Sequence, residues 1–120
     1  VTGEGGSGGA LALCVGDHVS MLEYATYSVA SPEACSSIVW RSSENAAEAA
    51  EAMKVNAKEL IKINVIDEII NEPSGGAHRN YDAAAAFVKS SLIKSLQKFS
   101  SFNTSDLLDR RYQRLLNIGK

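Results

Sequence analysis

The chain has 120 residues, of which 45% are hydrophobic and 22% are charged, a composition typical of one globular domain. Its apolar runs stay below the ~20 residues that cross a bilayer, so we expect neither a membrane segment nor a secretory leader but a cytoplasmic protein. The net charge of −2 is unevenly spread, because residues 1–73 carry −7 and residues 74–120 carry +5. The basic part can bind phosphate groups or an acidic partner, although a solvated helical surface is the simpler interpretation.

The first part of the chain is predicted to alternate between helices and strands. One helix should begin after Ser31, because Ser31 can cap it, Pro32 suits its first position and Glu33 faces the positive end of its dipole. Asn56 begins a second capping pattern. In chain order we expect a strand that leads into a glycine loop, a buried helix over 8–15, strands over 18–23 and 26–30, helices over 32–40, 43–55 and 56–63, and a strand over 65–70.

Residues 74–80 are predicted to form a loop, and the rest of the chain is predicted to form two helices. Asn103 or Thr104 can cap the final helix, and Asp106 lies in its first turn. The element order therefore predicts a mixed α/β fold with a helical C-terminus. The apolar positions at helical spacing are Ala84, Phe87, Val88, Leu92, Leu96 and Phe99, and then Leu107, Leu108, Tyr112, Leu115 and Leu116.

The cysteines and histidines form no metal-binding pattern. Cys14 and Cys35 lack C-x-x-C spacing, and His18 and His78 are far apart in sequence. We expect both thiols to be reduced, as in a cytosolic protein, and we expect no zinc site within this chain.

Five glycines lie within the first nine residues, and the stretch from Gly3 to Gly8 spells G-x-G-x-x-G. This spelling is typical of a dinucleotide-binding turn, and Glu23, 20 residues after Gly3, stands where a ribose-binding acid belongs. However, the helix after the loop can have only about two turns, and the crossover would take about 23 residues instead of ~30. No G-K-[ST] follows, so the sequence favours neither a dinucleotide site nor a P-loop.

Gly8 and Gly9 stand where the predicted loop becomes a helix. Because glycine has no Cβ, a substrate oxygen can approach these residues closely. Their N–H groups, with the helix dipole behind them, can face a developing negative charge. Two interpretations stay open at this point, an oxyanion hole and a structural turn packed against a neighbouring element.

Four blocks of the sequence, in the same order, resemble one enzyme family. The blocks are GEGGSGGALAL, YSVASPEACSSIVW, IDEIINEPSGGAHRN and RRYQRL. Over its whole length the chain resembles the C-terminal part of the carboxyltransferase alpha subunit of bacterial and plastid acetyl-CoA carboxylase. One departure is Ser74, where the family has Leu before the glycine pair. Since Val1 leads straight into the glycines, we expect an upstream part of the same domain.

The resemblance implies a crotonase-like α/β fold, a spiral of ββα units, in which residues 1–120 form the C-terminal part of a single carboxyltransferase domain. It implies an α2β2 assembly with a beta subunit that carries zinc, and active sites at the α–β interface. The implied reaction moves a carboxyl group from carboxybiotin to acetyl-CoA and gives malonyl-CoA for fatty acid synthesis. Biotin carboxyl carrier protein and biotin carboxylase are further expected partners. The expected location is the bacterial cytoplasm or the plastid stroma, with no membrane or nucleic-acid partner.

The resemblance also implies site residues. The backbone N–H groups of Gly8 and Gly9 would stabilise the charge that develops on the ureido oxygen of biotin, and biotin itself would be the base for the methyl proton. This agrees with the absence of a convincing His/Asp or carboxylate pair from the sequence. The further implied residues are Gly5, Gly6 and Ser7, which would shape the loop, and Arg79, which could bind phosphate.

Several positions keep two interpretations. Arg110, Arg111 and Arg114 either meet CoA phosphates or a partner, or stabilise the C-terminus of their own helix. Ser31 begins either a helix that faces the active site or a plainly capped helix. His78 is more readily explained as a structural residue than as a catalytic one.

Two other functions stay open. One is a crotonase-type hydratase or decarboxylase of CoA thioesters, which would need a Glu or Asp base aimed at the acyl chain. The other is a catalytically inert interface fragment, because half an active site cannot turn over. The apolar faces of several helices suggest that partners cover some of them.

Overall fold

Three parallel strands form one sheet, in the order β1-β2-β3. The computed structural model describes all residues, Val1–Lys120. It confirms the predicted α/β class and the helical C-terminus. In chain order the elements are β1 (Thr2–Gly6), α1 (Ser7–Cys14), β2 (Ser20–Ser28), α2 (Pro32–Trp40), α3 (Ala46–Met53), α4 (Ala57–Leu60), β3 (Glu68–Ile70), a 3₁₀ turn (Ala77–Arg79), α5 (Tyr81–Phe99) and α6 (Thr104–Leu116).

The strands differ from the sequence prediction at three places. The stretch predicted as a glycine loop is a strand up to Gly6, because β1 pairs with the end of β2. The two strands predicted over 18–23 and 26–30 are the single strand β2. Its pairing with β1 shifts register between them, because Thr2 pairs with Met21 but Glu4 pairs with Thr26, so the extra residues lie on β2. The strand predicted over 65–70 begins only at Glu68, since the backbone at Val65 is still bonded to the end of α4, where its N–H donates to the Leu60 carbonyl at 3.1 Å.

The predicted helix starts are confirmed at three residues. Ser31 Oγ accepts a hydrogen bond from the Ala34 N–H at 3.2 Å, as a plain helix cap does. The side chains of Asn56 and Asn103 cap α4 and α6 in the same way. The helix predicted over 56–63 is a single turn, Ala57–Leu60.

The hydrophobic core is small and lies between the sheet, α1 and α4. The radius of gyration is 16.0 Å, whereas about 14 Å is typical of a compact domain of this length. Many large apolar side chains on α2, α5 and α6 are therefore exposed, and Ile38 is 77% accessible. None of the helices is long and apolar enough to cross a membrane. The core residues are Ala10, Val19, Met21, Ala25, Tyr27, Ala57, Leu60 and Ile66.

Candidate functional site

The junction of β1 and α1 carries the glycine pair that the sequence analysis singled out. Gly6 is extended, with φ −136° and ψ 151°, and Ser7 then takes a φ of +51°. Such a left-handed conformation is uncommon for a residue with a Cβ and stores local strain. It turns the chain sharply from strand to helix and places Gly8 and Gly9 in the first turn of α1.

The N-terminus of α1 has no cap from the chain itself. No side chain accepts a hydrogen bond from its first turn, and no acidic residue lies there. The first N–H groups of a helix have no intrahelical partner and carry the positive end of its dipole. This end of α1 is therefore suited to an acceptor or a negative charge from outside the chain.

Gly8 and Gly9 are exposed, and nothing in the chain requires glycine at either position. A Cβ built on either residue would meet no atom within 4 Å, and neither residue has a positive φ. Glycine in a helix costs about 0.5–1 kcal/mol relative to alanine. The absence of side chains here leaves the backbone N–H groups open to an approaching group.

Gly5 has a different reason to be glycine. A Cβ on Gly5 would stand 2.7 Å from Cδ2 of Tyr27, its neighbour across the sheet. The Tyr27 ring packs on the space that the missing side chain leaves. Gly5 and Gly6 are the last two residues of β1 and lead into the turn at Ser7. The prediction that they belong to a loop is therefore corrected.

Tyr27 is a candidate functional residue that no pattern in the sequence indicates. Its hydroxyl donates a hydrogen bond to the carbonyl of Ala10 in α1, and its ring is buried. Burial, with the neighbouring Cys14, raises the pKa of Tyr27 to about 12, so the hydroxyl keeps its proton. An aromatic residue beside a strand glycine is a known pairing, but it becomes visible only once the register of β1 and β2 is known.

An open cleft of about 290 Å³ lies beside the start of α1. It contains no carboxylate and no histidine, so it offers no conventional base or acid. Its lining is largely apolar and suits a small apolar group, and it includes Ser7 and Ala10 on either side of the glycine pair but neither Gly8 nor Gly9. Its lining consists of Ser7, Ala10, Leu11, Tyr27, Ser28, Val29, Met53, Leu60 and Val65.

Arg79 and His78 lie apart from this cleft. Both belong to the exposed 3₁₀ turn that follows β3, and β3 lies on the opposite side of β2 from β1. No hydrogen bond or ion pair joins Arg79 to β1 or α1. The His78 ring packs against Gly76, which has a φ of +100°, and this supports the structural interpretation of His78.

The arginines of α6 are engaged within the chain. Arg111 forms a bidentate pair with Asp17 at 2.9 and 2.8 Å, and its hydrogen bonds hold the pKa of Asp17 below the ordinary value. The guanidinium of Arg110 lies 4.8 Å from the centre of the Phe102 ring. One of the two predicted interpretations was that these arginines stabilise the C-terminus of α6. Arg110 and Arg111 are not arranged to do so.

Arg114 has three partners in the body of the protein. It donates to Asp67 at 2.7 Å and to the carbonyls of Cys14 and Val65, both at 2.8 Å. Cys14 is the last residue of α1, so Arg114 satisfies a C-terminal carbonyl of α1 and not of its own helix. These contacts give Arg114 a structural role that does not require a CoA phosphate.

Comparison with known proteins gives one consistent result. A family described as acetyl co-enzyme A carboxylase carboxyltransferase-like matches residues 1–119. The chain is 57% identical over 119 residues to the acetyl-coenzyme A carboxylase carboxyl transferase subunit alpha of Aliivibrio salmonicida and to that of Vibrio vulnificus. The corresponding protein of Photobacterium profundum is 55% identical. Each match covers 99% of this chain and 37% of the relative's length.

Proposed function

Because the chain belongs to the acetyl-CoA carboxylase carboxyltransferase family, we propose that it is part of an alpha subunit that moves a carboxyl group from carboxybiotin to acetyl-CoA. The product is malonyl-CoA. The chain spans only 37% of the length of these relatives, so the proposal concerns the longer protein that contains it. The proposal includes a crotonase-like fold for that protein, with residues 1–120 at the C-terminal part of one carboxyltransferase domain.

The observation that carries this proposal is the bare first turn of α1. Gly8 and Gly9 present N–H groups that no side chain caps, at positions where the chain itself has no need of glycine. Such a pair can donate to an oxygen on which negative charge builds as the carboxyl group is released. Losing one preorganised donor of this kind typically costs about 3–4 kcal/mol of barrier.

The adjacent cleft fits the group that this reaction needs. Carboxybiotin, when bound, supplies the carboxyl group. Leu11 and Val29 at the mouth of the cleft are 69% and 75% exposed, and they offer an apolar surface to a ring that enters from solvent. Ser7 lines the same cleft at the start of the helix. The residues present therefore suit an apolar ring, and a polar acceptor on that ring would reach the N–H groups of Gly8 and Gly9 from beside the lining residues Ser7 and Ala10.

The proposed partners follow from the same family membership. They are a carboxyltransferase beta subunit in an α2β2 assembly, with zinc on the beta subunit only, a biotin carboxyl carrier protein and biotin carboxylase. The exposed apolar side chains beside the cleft are consistent with a protein surface that covers this face. A bacterial cytoplasmic location is part of the proposal, since the relatives compared are bacterial.

A hydratase of CoA thioesters is the less favoured enzyme. It would need a carboxylate near the donor pair, and the cleft contains none. Three carboxyl groups, Asp17, Glu59 and Glu68, have lowered pKa values because hydrogen bonds stabilise their ionised forms, and this makes them weaker bases. None of the three lines the cleft. Loss of enoyl absorbance from crotonyl-CoA without biotin or a partner would favour the hydratase. We expect the isolated 120-residue chain to be inactive, as an interface fragment would be.

The decisive test replaces the donor glycines in the full-length alpha subunit. Gly8→Val and Gly9→Val should abolish carboxyl transfer in the reconstituted enzyme while assembly stays intact, because a side chain there has room in the fold but blocks the approach to the N–H groups. Gly3→Val is the matched control. Gly3 is an exposed strand glycine whose Cβ would make only ordinary contact with Leu22, at 3.8 Å. Wild-type transfer by Gly8→Val would exclude the assignment.

A further inference from the structure

Tyr27 contacts the chain on both sides of Ser7–Gly9, the first residues of α1. Before the turn, its ring covers Gly5, where a Cβ would come within 2.7 Å of the ring. After the turn, its hydroxyl donates to the carbonyl of Ala10. Its own backbone N–H is fixed by the carbonyl of Val55 at 3.0 Å. One side chain thus spans the segment that carries the candidate donor pair.

The helix that carries the donors has few other anchors at this end. α1 has only eight residues, and Ala10 is its one buried residue. Helices of this length are marginal unless tertiary contacts hold them. Gly8 and Gly9 contribute no side-chain packing, so the position of their N–H groups depends on the neighbouring residue Ala10.

From these contacts we propose that Tyr27 is a positioning residue for carboxyl transfer, acting through Ala10 and Gly5 on the orientation of the Gly8 and Gly9 N–H groups. This inference rests on the proposed function. It assigns to Tyr27 no contact with substrate. Its hydroxyl acts as a fixed donor to Ala10 throughout, and the ring fixes the end of β1 against the start of α1.

The test uses the full-length alpha subunit assembled with its beta partner, with malonyl-CoA and biocytin as substrates. In this direction the carboxyl group leaves malonyl-CoA for a ureido nitrogen of biocytin, and the proton of that nitrogen ends on the methyl group of acetyl-CoA. Tyr27→Phe keeps the ring over Gly5 but removes the hydroxyl. We expect kcat to fall about ten- to a hundredfold with KM for both substrates unchanged, because small misplacements of catalytic groups cost this much.

Tyr24→Phe is the matched control in the same strand. Tyr24 is 63% exposed, and its hydroxyl makes no hydrogen bond within the chain. The control should therefore keep wild-type kcat. Gly5→Ala should displace the Tyr27 ring and lower kcat as well. Its effect should be less than additive with that of Tyr27→Phe, because both changes release the same turn.

Hydrogen exchange supplies a readout independent of activity. Tyr27→Phe should speed exchange of the backbone amides in the Ser7–Ala10 segment, whereas Tyr24→Phe should not. Wild-type kcat in Tyr27→Phe with unchanged exchange at this segment would overturn the inference, and so would a loss of activity explained entirely by a lower folded fraction. If the wild-type assembly transfers no carboxyl group, the proposed function fails, and the exchange result still decides whether Tyr27 holds the turn.

Discussion

Residues 1–73 and residues 74–120 are held by different interactions. All ten buried hydrophobic residues lie in the first part, whereas Ser91 is the only buried polar residue of the second part. The second part attaches through polar contacts instead. Ser91 donates to Glu68 at 2.6 Å, and Arg111 and Arg114 pair with carboxylates of the first part. The two parts have net charges of −7 and +5, and at their junction basic side chains of the second part pair with acidic side chains of the first.

This difference bears on the candidate site because both parts hold α1. Its start is fixed by the hydrophobic part, through Ala10 and Tyr27. Its last carbonyl accepts a hydrogen bond from Arg114 of the basic part. Changes in the core should consequently affect the whole fold, whereas changes at the polar junction should act first on α5 and α6.

The largest effect is expected from a cavity in the hydrophobic part. Met21 is completely buried in β2, so Met21→Ala should lower the free energy of unfolding by about 3 kcal/mol. Leu96→Ala, on α5, removes a side chain that is 69% exposed and should cost less than about 0.5 kcal/mol. Urea denaturation followed by circular dichroism measures both. Equal losses would contradict the contrast between the two parts.

The next effect concerns the polar junction. Arg114 is 10% exposed and has three acceptors, so Arg114→Ala leaves two carbonyls without this donor and leaves Asp67 with only the Val19 N–H. We expect the free energy of unfolding to fall by about 2 kcal/mol. This is less than removal of one partner from a fully buried ion pair would cost, because Asp67 is 29% exposed. Arg110→Ala removes only stacking on aromatic rings and should cost about 0.5–1 kcal/mol. The same denaturation measurement distinguishes the two variants. Equal losses of unfolding free energy would show that the hydrogen bonds of Arg114 do not hold the junction.

A smaller effect should appear on acidification. Burial opposes the ionised form of Glu68, yet hydrogen bonds from Ser91, His18 and Ser20 hold its pKa below the ordinary value. A carboxyl group whose folded pKa is lowered stabilises the fold above its unfolded pKa, near pH 4, and this stabilisation is lost as the pH falls through the folded pKa. Below about pH 4, α5 should therefore loosen before β2 does.

Hydrogen exchange, corrected for intrinsic rates, measures this order of loosening along the chain. Glu68→Gln keeps an acceptor for Ser91 but does not titrate. Between pH 5 and pH 3, the α5 amides of this variant should lose less protection from hydrogen exchange than the α5 amides of the wild type. Simultaneous loosening of β2 and α5 in both proteins would show that the acid response does not arise at Glu68.

The same contrast explains what the sequence could predict. Helix starts depend on local hydrogen bonds, and the caps at Ser31, Asn56 and Asn103 were predicted correctly. A strand before the first helix is predicted, but not that the glycine-rich run itself forms it, because such a run has little intrinsic preference for a strand. Its conformation depends on pairing with β2 and on a ring that covers Gly5.

The site was predictable to a similar extent. The glycine pattern and the family blocks pointed to Gly8 and Gly9, and their roles stay predictions. The contacts of Tyr27 and Arg114 could not be predicted, since they join residues 17 and 100 positions apart and depend on packing. Arg114 does lie in the last turn of α6, as the dipole interpretation requires, whereas Arg110 and Arg111 lie further from that end.

The smallest effect should come from helix caps, where the same substitution can be made in each part of the chain. Asn103→Ala and Asn56→Ala each remove a side-chain acceptor from a first-turn N–H, which typically costs about 1 kcal/mol. α4 contains the buried residues Ala57 and Leu60, whereas α6 contains no buried residue. Asn56→Ala should therefore lower the global urea midpoint, but Asn103→Ala should mainly raise exchange in the first turn of α6. A global loss from Asn103→Ala as large as that from Asn56→Ala would mean that α6 is part of the cooperative core.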